Sequence, residues 1–258
     1  MHDLRVTTVQ SALCWEDVDA NLQQFSEKLA PLAGQTDLII LPEMFTTGFS
    51  MRSAELAEDM PGRTIEWMRT TATALQAVLT GSMIAGDRGK YYNRLVWARP
   101  DGAYTTYDKR HLFTLAGEHL HFAAGTHRLL VEHRGWTICP LICYDLRFPV
   151  WSRNTVGFDL LIYVANWPER RRHAWTSLLP ARAIENQCYT VGVNRVGDDG
   201  NGIHYAGLST VVDYKGDLLY QVAEKEEIHT QSLSFEEQEA FRTQYAFLKD
   251  ADEFQLRH

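Results

Sequence analysis

Residues 139–149 read CPLICYDLRFP. An apolar run that begins at Trp136 ends on Cys143, and Tyr144, Asp145, Arg147 and Pro149 follow within six residues. Such a run, closed by charge and proline, reads as a buried strand that stops at a sheet edge. The segment from Arg147, RFPVWSRN, reads as the start of a helix, with Pro149 tolerated in its first turn. A thiol at a strand-to-helix corner has four readings: half of a disulfide, half of a metal site, an inert core cysteine, or a nucleophile at the sheet edge.

Working outward, strand-length apolar runs recur at 4–10, 37–42, 77–86, 94–99, 127–133, 136–143, 159–166, 189–196 and 209–214. Helical spacing of apolar residues appears over 18–30 (Val18, Leu22, Phe25, Leu29) and 63–78 (Ile65, Met68, Ala72, Leu75, Val78). Further helices are expected over 173–187 and 235–247. Strands separated by helices indicate an α/β layered architecture. The turn pairs Asp101-Gly102 and Lys215-Gly216 each sit between strand-like runs and read as hairpins, so two sheets packed together with helices outside are expected. No repeat or Pro/Gly/Ser linker interrupts the chain, which predicts a single domain over 1–258.

The chain has 258 residues, enough for a sizeable core, with 45% hydrophobic and 22% charged residues. Lys+Arg 25 against Asp+Glu 33 gives a formal net charge of -8, which argues against nucleic acid or an anionic membrane as the main partner. No apolar stretch approaches a membrane span, and MHDLRVTTVQ lacks the features of a signal peptide, so a cytoplasmic protein is expected. Four scattered cysteines, Cys14, Cys139, Cys143 and Cys188, make a disulfide framework improbable there. No C-x-x-C or H-E-x-x-H motif is present, and His111, His119, His121 and His127 have the mixed spacing of solvated loop positions, so no metal is expected.

The thiol of Cys143 needs a base or a cation, since a free thiol is only a few per cent ionised at neutral pH. Two stretches offer them. DLIILPEMFTTGF carries an apolar strand to Leu41-Pro42-Glu43, where Met44, Phe45 and Phe49 would desolvate the carboxylate and raise its basicity; an ordinary loop carboxylate is the alternative. AYTTYDKRHLF places Lys109 after the second hairpin strand, although an isolated lysine is usually a surface one. Cys139, inside the strand, reads as a small core hydrophobe.

Together the three resemble the nitrilase superfamily of carbon–nitrogen hydrolases: a glutamate after L-P-E, a lysine after a hairpin and a cysteine at an elbow. The resemblance runs along almost the whole chain, through TTVQ, FTTGF, YDKRHLF, GEHLHFAAG, CYDLRFP, YVANWP, ARAIENQ and NRVGDDGNGIHYAG. It is greatest to the bacterial omega-amidases, which hydrolyse the terminal amide of 2-oxoglutaramate and 2-oxosuccinamate. Other aliphatic amidases, N-carbamoyl hydrolases, nitrilases and a catalytically silent metabolite-binding protein are the rival readings.

The resemblance implies a four-layer α-β-β-α sandwich, a small-molecule amide substrate, no cofactor and a homodimer. It implies Glu43 as base, Cys143 as nucleophile, and Lys109 with the Tyr144 N–H as oxyanion donors. It also implies that Glu118 orients Lys109 or the substrate, where the residue alone reads as a solvated loop carboxylate. Arg147 would pair with a substrate carboxylate, with a salt bridge to Asp145 as the alternative. Phe45, Phe113, Asn166 and Trp167 are expected to wall the pocket. The run Arg170, Arg171 and Arg172 reads as a solvated helix start or a subunit contact.

Overall fold

The computed structural model describes residues 2–255. The chain lays down one sheet and then the other. β1 (Leu4–Gln10), β2 (Leu38–Ile40), β3 (Glu58–Asp59), β4 (Val78–Asp87), β5 (Lys90–Ala98) and β6 (Tyr104–Asp108) belong to the first. β7 (Val131–His133), β8 (Trp136–Ile142), β9 (Leu160–Ala165), β10 (Tyr189–Asn194), β11 (Val196–Asp198), β12 (His204–Val212) and β13 (Leu218–Ala223) form the second. β14 (Glu227–Leu233) returns to the first sheet and pairs antiparallel with β1, Leu4 facing Leu233 and Gln10 facing Glu227. β1, β2 and β4 run parallel, as do β8, β9 and β10, and hairpin strands extend each sheet outward.

The two-residue period of a strand explains the layers. Leu38 and Ile40 of β2 join a core with Ile138, Leu160 and Ile162 of the second sheet. Ile39 and Leu41, pointing the other way, join a second core with Phe25 of α1 (Val18–Leu29) and Ile65 and Met68 of α2 (Arg63–Leu75). A parallel strand covered on both faces needs an unbroken apolar run, and DLIILP supplies it. On the far side α3 (Arg172–Asn186) lays Trp175, Leu179 and Ala183 on the second sheet. It comes so close that a Cβ on Gly192 of β10 would stand 2.6 Å from both Trp175 and Leu179. The order is helices, sheet, sheet, helices, and the expected sandwich is borne out.

The hairpins turn where the sequence places them, with Gly102 and Gly216 both at positive φ. Other boundaries move for local reasons. The helix expected over 63–78 stops at Leu75, because Gln76 adopts a left-handed cap and Val78 opens β4. The strand expected over 127–133 shrinks to Val131–His133, since Arg128 is tied to the carbonyls of Trp151 and Arg153. The strand expected over 209–214 begins earlier, at His204, and β14 is an addition. The helix after Cys143 is a 3-10 turn, Cys143–Arg147, followed by a single α turn, Pro149–Ser152. The expected C-terminal helix is α4 (Phe235–Gln244). No helix among the described residues is long and apolar enough to cross a membrane.

Candidate active site

Four strands end at one place. Glu43 follows β2, Lys109 follows β6, Cys143 follows β8 and Asn166 follows β9. Three of these strands are parallel members of their sheets, and the carboxyl ends of such strands are where α/β proteins gather their reactive groups.

Each side chain is fixed by its neighbours. Glu43 is fully buried; its Oε1 accepts from Lys109 Nζ at 2.8 Å and from Asn93 Nδ2 at 2.7 Å, and its Oε2 accepts from the Asn166 N–H at 2.7 Å. Asn166 also donates from Nδ2 to the Glu43 carbonyl at 2.6 Å. Lys109, equally buried, donates to both oxygens of Glu118 at 3.0 Å. Glu118 opens a one-turn helix, Glu118–His121, yet is itself completely buried, and its Oε2 accepts from the Phe113 N–H. Asn93 reaches it as well, at 3.3 Å, and so bridges the two carboxylates.

Cys143 sits at φ +43, a left-handed conformation that a non-glycine residue rarely takes. Asp145 holds it there. Its buried carboxylate accepts from the Ile142 N–H, the Tyr107 hydroxyl, and both the backbone N–H and Nδ1 of His111. The strained residue is thus clamped by hydrogen bonds on its flanks. The thiol lies close enough to the Glu43 carboxylate, the Lys109 ammonium and the Asn166 N–H for all three to act on its ionisation.

The charges explain the resting state. Burial alone would strip Lys109 of its proton, but Glu118 and then Glu43 outweigh it and hold the ammonium well above its ordinary range. Burial raises Glu118, with Lys109 opposing and Glu43 adding to the rise. Burial, reinforced by Glu43 and opposed by Lys109, pushes the Cys143 thiol far up. Burial, and then the neighbouring Glu43, thus favour the neutral thiol, which keeps its proton until a base takes it in concert with attack. The arrangement can carry out nucleophilic acyl transfer, with a carboxylate, a thiol and an ammonium gathered around one pocket. Among the described residues no group of three or more His, Cys, Asp or Glu side chains is set to hold a metal ion.

The structure brings Glu43, Lys109, Glu118, Cys143, Tyr144, Arg147, Phe113, Asn166 and Trp167 together at one pocket or its floor. Phe45 is a correction. It lies in the core between the first sheet and its helices, 5.6 Å from Phe25 and 5.8 Å from Trp67 by ring centroids. Phe49 takes the pocket position instead, with Lys109 Nζ 5.1 Å from its ring. Between the two phenylalanines the chain passes through Gly48, at a left-handed φ of +74.

Glu118 is buried, not a solvated loop carboxylate. Arg147 makes no salt bridge with Asp145; it stacks on Trp167 at 5.0 Å. His111 is no solvated loop histidine either, being bound to Asp145 and stacked on Phe148 at 3.7 Å. Arg170 and Arg171 line the pocket, whereas Arg172 pairs with Glu169 on the surface. Asn93 and Tyr205 are further site residues that the sequence did not single out, and Phe49 was expected only as an apolar neighbour of Glu43. An amide breaking the apolar run YYNRLVW was the available signal for Asn93.

A two-sheet α/β sandwich whose strand ends meet at a buried thiol, two carboxylates and an ammonium defines a thiol-dependent acyl-transfer architecture. The sequence model described as Carbon-nitrogen hydrolase matches residues 5–243, and the chain belongs to that family. Among curated relatives, Omega-amidase YafV of Yersinia enterocolitica is 46% identical over 258 residues, covering 99% of this chain and 100% of that protein. The 2-oxoglutaramate amidase of Bacillus subtilis is 35% identical over 78% of this chain and 79% of its own length. Among solved structures, XC1258 from Xanthomonas campestris, a CN-hydrolase superfamily protein, is similar with a TM-score of 0.98 and 48% identity over the whole of both chains.

Proposed function

We propose that the protein is an omega-amidase, hydrolysing the terminal amide of 2-oxoglutaramate or 2-oxosuccinamate to the oxo-dicarboxylate and ammonia. The observation that carries the mechanism is that Cys143 and Lys109 line one pocket, with the Lys109 ammonium bound to a fully buried Glu43 carboxylate at 2.8 Å. The specificity is supported by the full-length similarity to proteins named omega-amidase.

Glu43 takes the Cys143 proton as sulfur bonds to the amide carbon. The negative charge that develops on oxygen is met by the Lys109 ammonium and the Tyr144 N–H, donors worth ~3 kcal/mol each when preorganised. The intermediate collapses, the C–N bond breaks, and Glu43 returns its proton to nitrogen, so ammonia leaves. Water then attacks the thioester, its proton passing to Glu43. The C–S bond breaks, and the sulfur regains that proton. Glu118 keeps Lys109 aimed and charged, Asn93 and Asn166 fix the Glu43 carboxylate, and Arg147 at the pocket mouth meets the distal carboxylate of the substrate. The whole length acts as one hydrolase domain, in the cytoplasm and as a homodimer, for which a light-scattering mass twice that of the chain is the check.

An ammonia-release panel with 2-oxoglutaramate, 2-oxosuccinamate, glutamine, simple nitriles and N-carbamoyl amino acids tests the assignment. The two oxo-acid amides are expected to lead, and preference for a nitrile or carbamoyl compound would overturn the substrate while leaving the family intact. Cys143→Ala is expected to lower kcat by at least ~10³-fold without loss of fold by circular dichroism. Wild-type turnover in that variant would refute the mechanism.

A further inference from the structure

The arginines of the molecule divide into two kinds. Most are paired: Arg5, Arg94, Arg134, Arg182 and Arg242 hold carboxylates, and Arg110, Arg128, Arg153 and Arg195 donate to backbone carbonyls. Among the described residues Arg147, Arg170 and Arg171 are the arginines whose guanidinium makes neither an ion pair nor a hydrogen bond, and all three line the pocket that contains Cys143. Such a concentration of uncompensated cations is repulsive when the pocket is empty and relieved when an anion enters.

Arg171 is the inner member. It is half-buried, whereas Arg147 and Arg170 are exposed at the rim. Its guanidinium lies 4.7 Å over the Phe113 ring, as that of Arg147 lies over Trp167. Held over a ring and without a hydrogen-bond partner, each guanidinium keeps its N–H donors for an entering anion. Arg171 is close enough to the nucleophile for charge on Cys143 to be felt there, and burial with Arg170 weakens its hold on its own proton. Lys109 does not serve this end, because it is held on the pocket floor between Glu43 and Glu118, at the end where the amide must lie. The pocket is therefore bipolar: an acidic floor around Cys143 and a cationic wall opposite.

We infer that Arg171, together with Arg147, clamps the carboxylate at the end of the substrate remote from the scissile amide, with Arg171 the principal determinant of preference for an acid-terminated amide. This rests on the amidase reading above, and extends it by assigning a binding residue on the 3-10 turn Glu169–Arg171, well away from the elbow. The dipolar pocket then orients a linear substrate in one direction, amide to sulfur and carboxylate to guanidinium.

The test compares wild type, Arg171→Gln and Arg171→Lys in steady-state hydrolysis of 2-oxoglutaramate, and measures glutarate binding by calorimetry to each protein. The expected result for Arg171→Gln is a KM raised at least about tenfold with kcat within about threefold, and glutarate affinity lowered at least about tenfold. Arg171→Lys is expected to recover part of both. Unchanged glutarate affinity in Arg171→Gln overturns the clamp, as does a fall in kcat with KM unmoved. Glutarate binding that depends on Arg171 in a protein that does not hydrolyse 2-oxoglutaramate would sustain the clamp and sink the proposed substrate instead.

Discussion

At the scale of single residues, Phe45 and Phe49 make the sharpest contrast. Both follow Glu43 in one aromatic-rich stretch, and from the sequence either could face a ligand. The chain turns between them, through Gly48 at a left-handed φ of +74, and Phe45 lies in the core beneath the sheet while Phe49 lines the pocket. Phe45→Ala is expected to destabilise the fold by ~3–5 kcal/mol in urea unfolding, because a fully buried ring leaves a cavity. Its effect on KM should be small. Phe49→Ala should do the reverse, changing KM several-fold at little cost to stability; equal effects of the two changes would contradict the assignment. Glu43 and Cys143 were legible because each stands at the end of an apolar strand, where a charge or thiol is out of place; Lys109, after the polar strand YTTYD, stood out only beside them in the family resemblance. Asn93 and Asp145 were not, since their value lies in hydrogen bonds to residues distant in sequence. Arg171 was hidden by its neighbours: a triple-arginine run looks solvated until the 3-10 turn folds it over Phe113.

At the scale of elements, the alternation within strands and the periodicity within helices predicted most of the layers, because burial on two faces leaves a strong mark on composition. Edge strands leave little. β14 reads EIHTQSL, polar enough to pass for loop, and it is ordered by its ladder to β1 more than by its own side chains. Loops that carry function are equally quiet. Gly125 is an example: a Cβ there would stand 2.1 Å from the carbonyl oxygen of Asp108, while the Gly125 N–H donates to the Lys109 carbonyl at 2.9 Å. The missing side chain lets the segment after Glu118 close onto the end of β6. Gly125→Ala is expected to push the Asp108–Lys109 backbone aside, destabilising the protein by ~1–3 kcal/mol and lowering kcat more than about tenfold. Unchanged thermal stability and turnover would show that this approach is dispensable.

At the scale of the whole molecule, burial of thiols sets the behaviour in alkali. Cys139 and Cys188 are fully buried, and burial pushes both up to about 12 from an ordinary 9.0; Cys143 is raised as well, again by burial first. Above pH 9 the unfolded chain gives up protons that the folded protein retains. Stability is therefore complete below that pH and falls as pH rises towards the folded values, by ~1.4 kcal/mol per pH unit for each thiol. Urea midpoints at pH 8, 9.5 and 10.5 should fall progressively, and Cys139→Ala with Cys188→Ala should flatten the decline. A midpoint that rises with pH would refute the account. The architecture also governs when activity can first arise. Because β14 closes the sheet that β1 opens, the strand bearing Leu4 must wait, its edge uncovered, until Leu233 has left the ribosome. Glu43 and Lys109 belong to that sheet and Cys143 to the other. A nascent chain therefore carries Glu43, Lys109 and Cys143 long before the ladder between β1 and β14 can form.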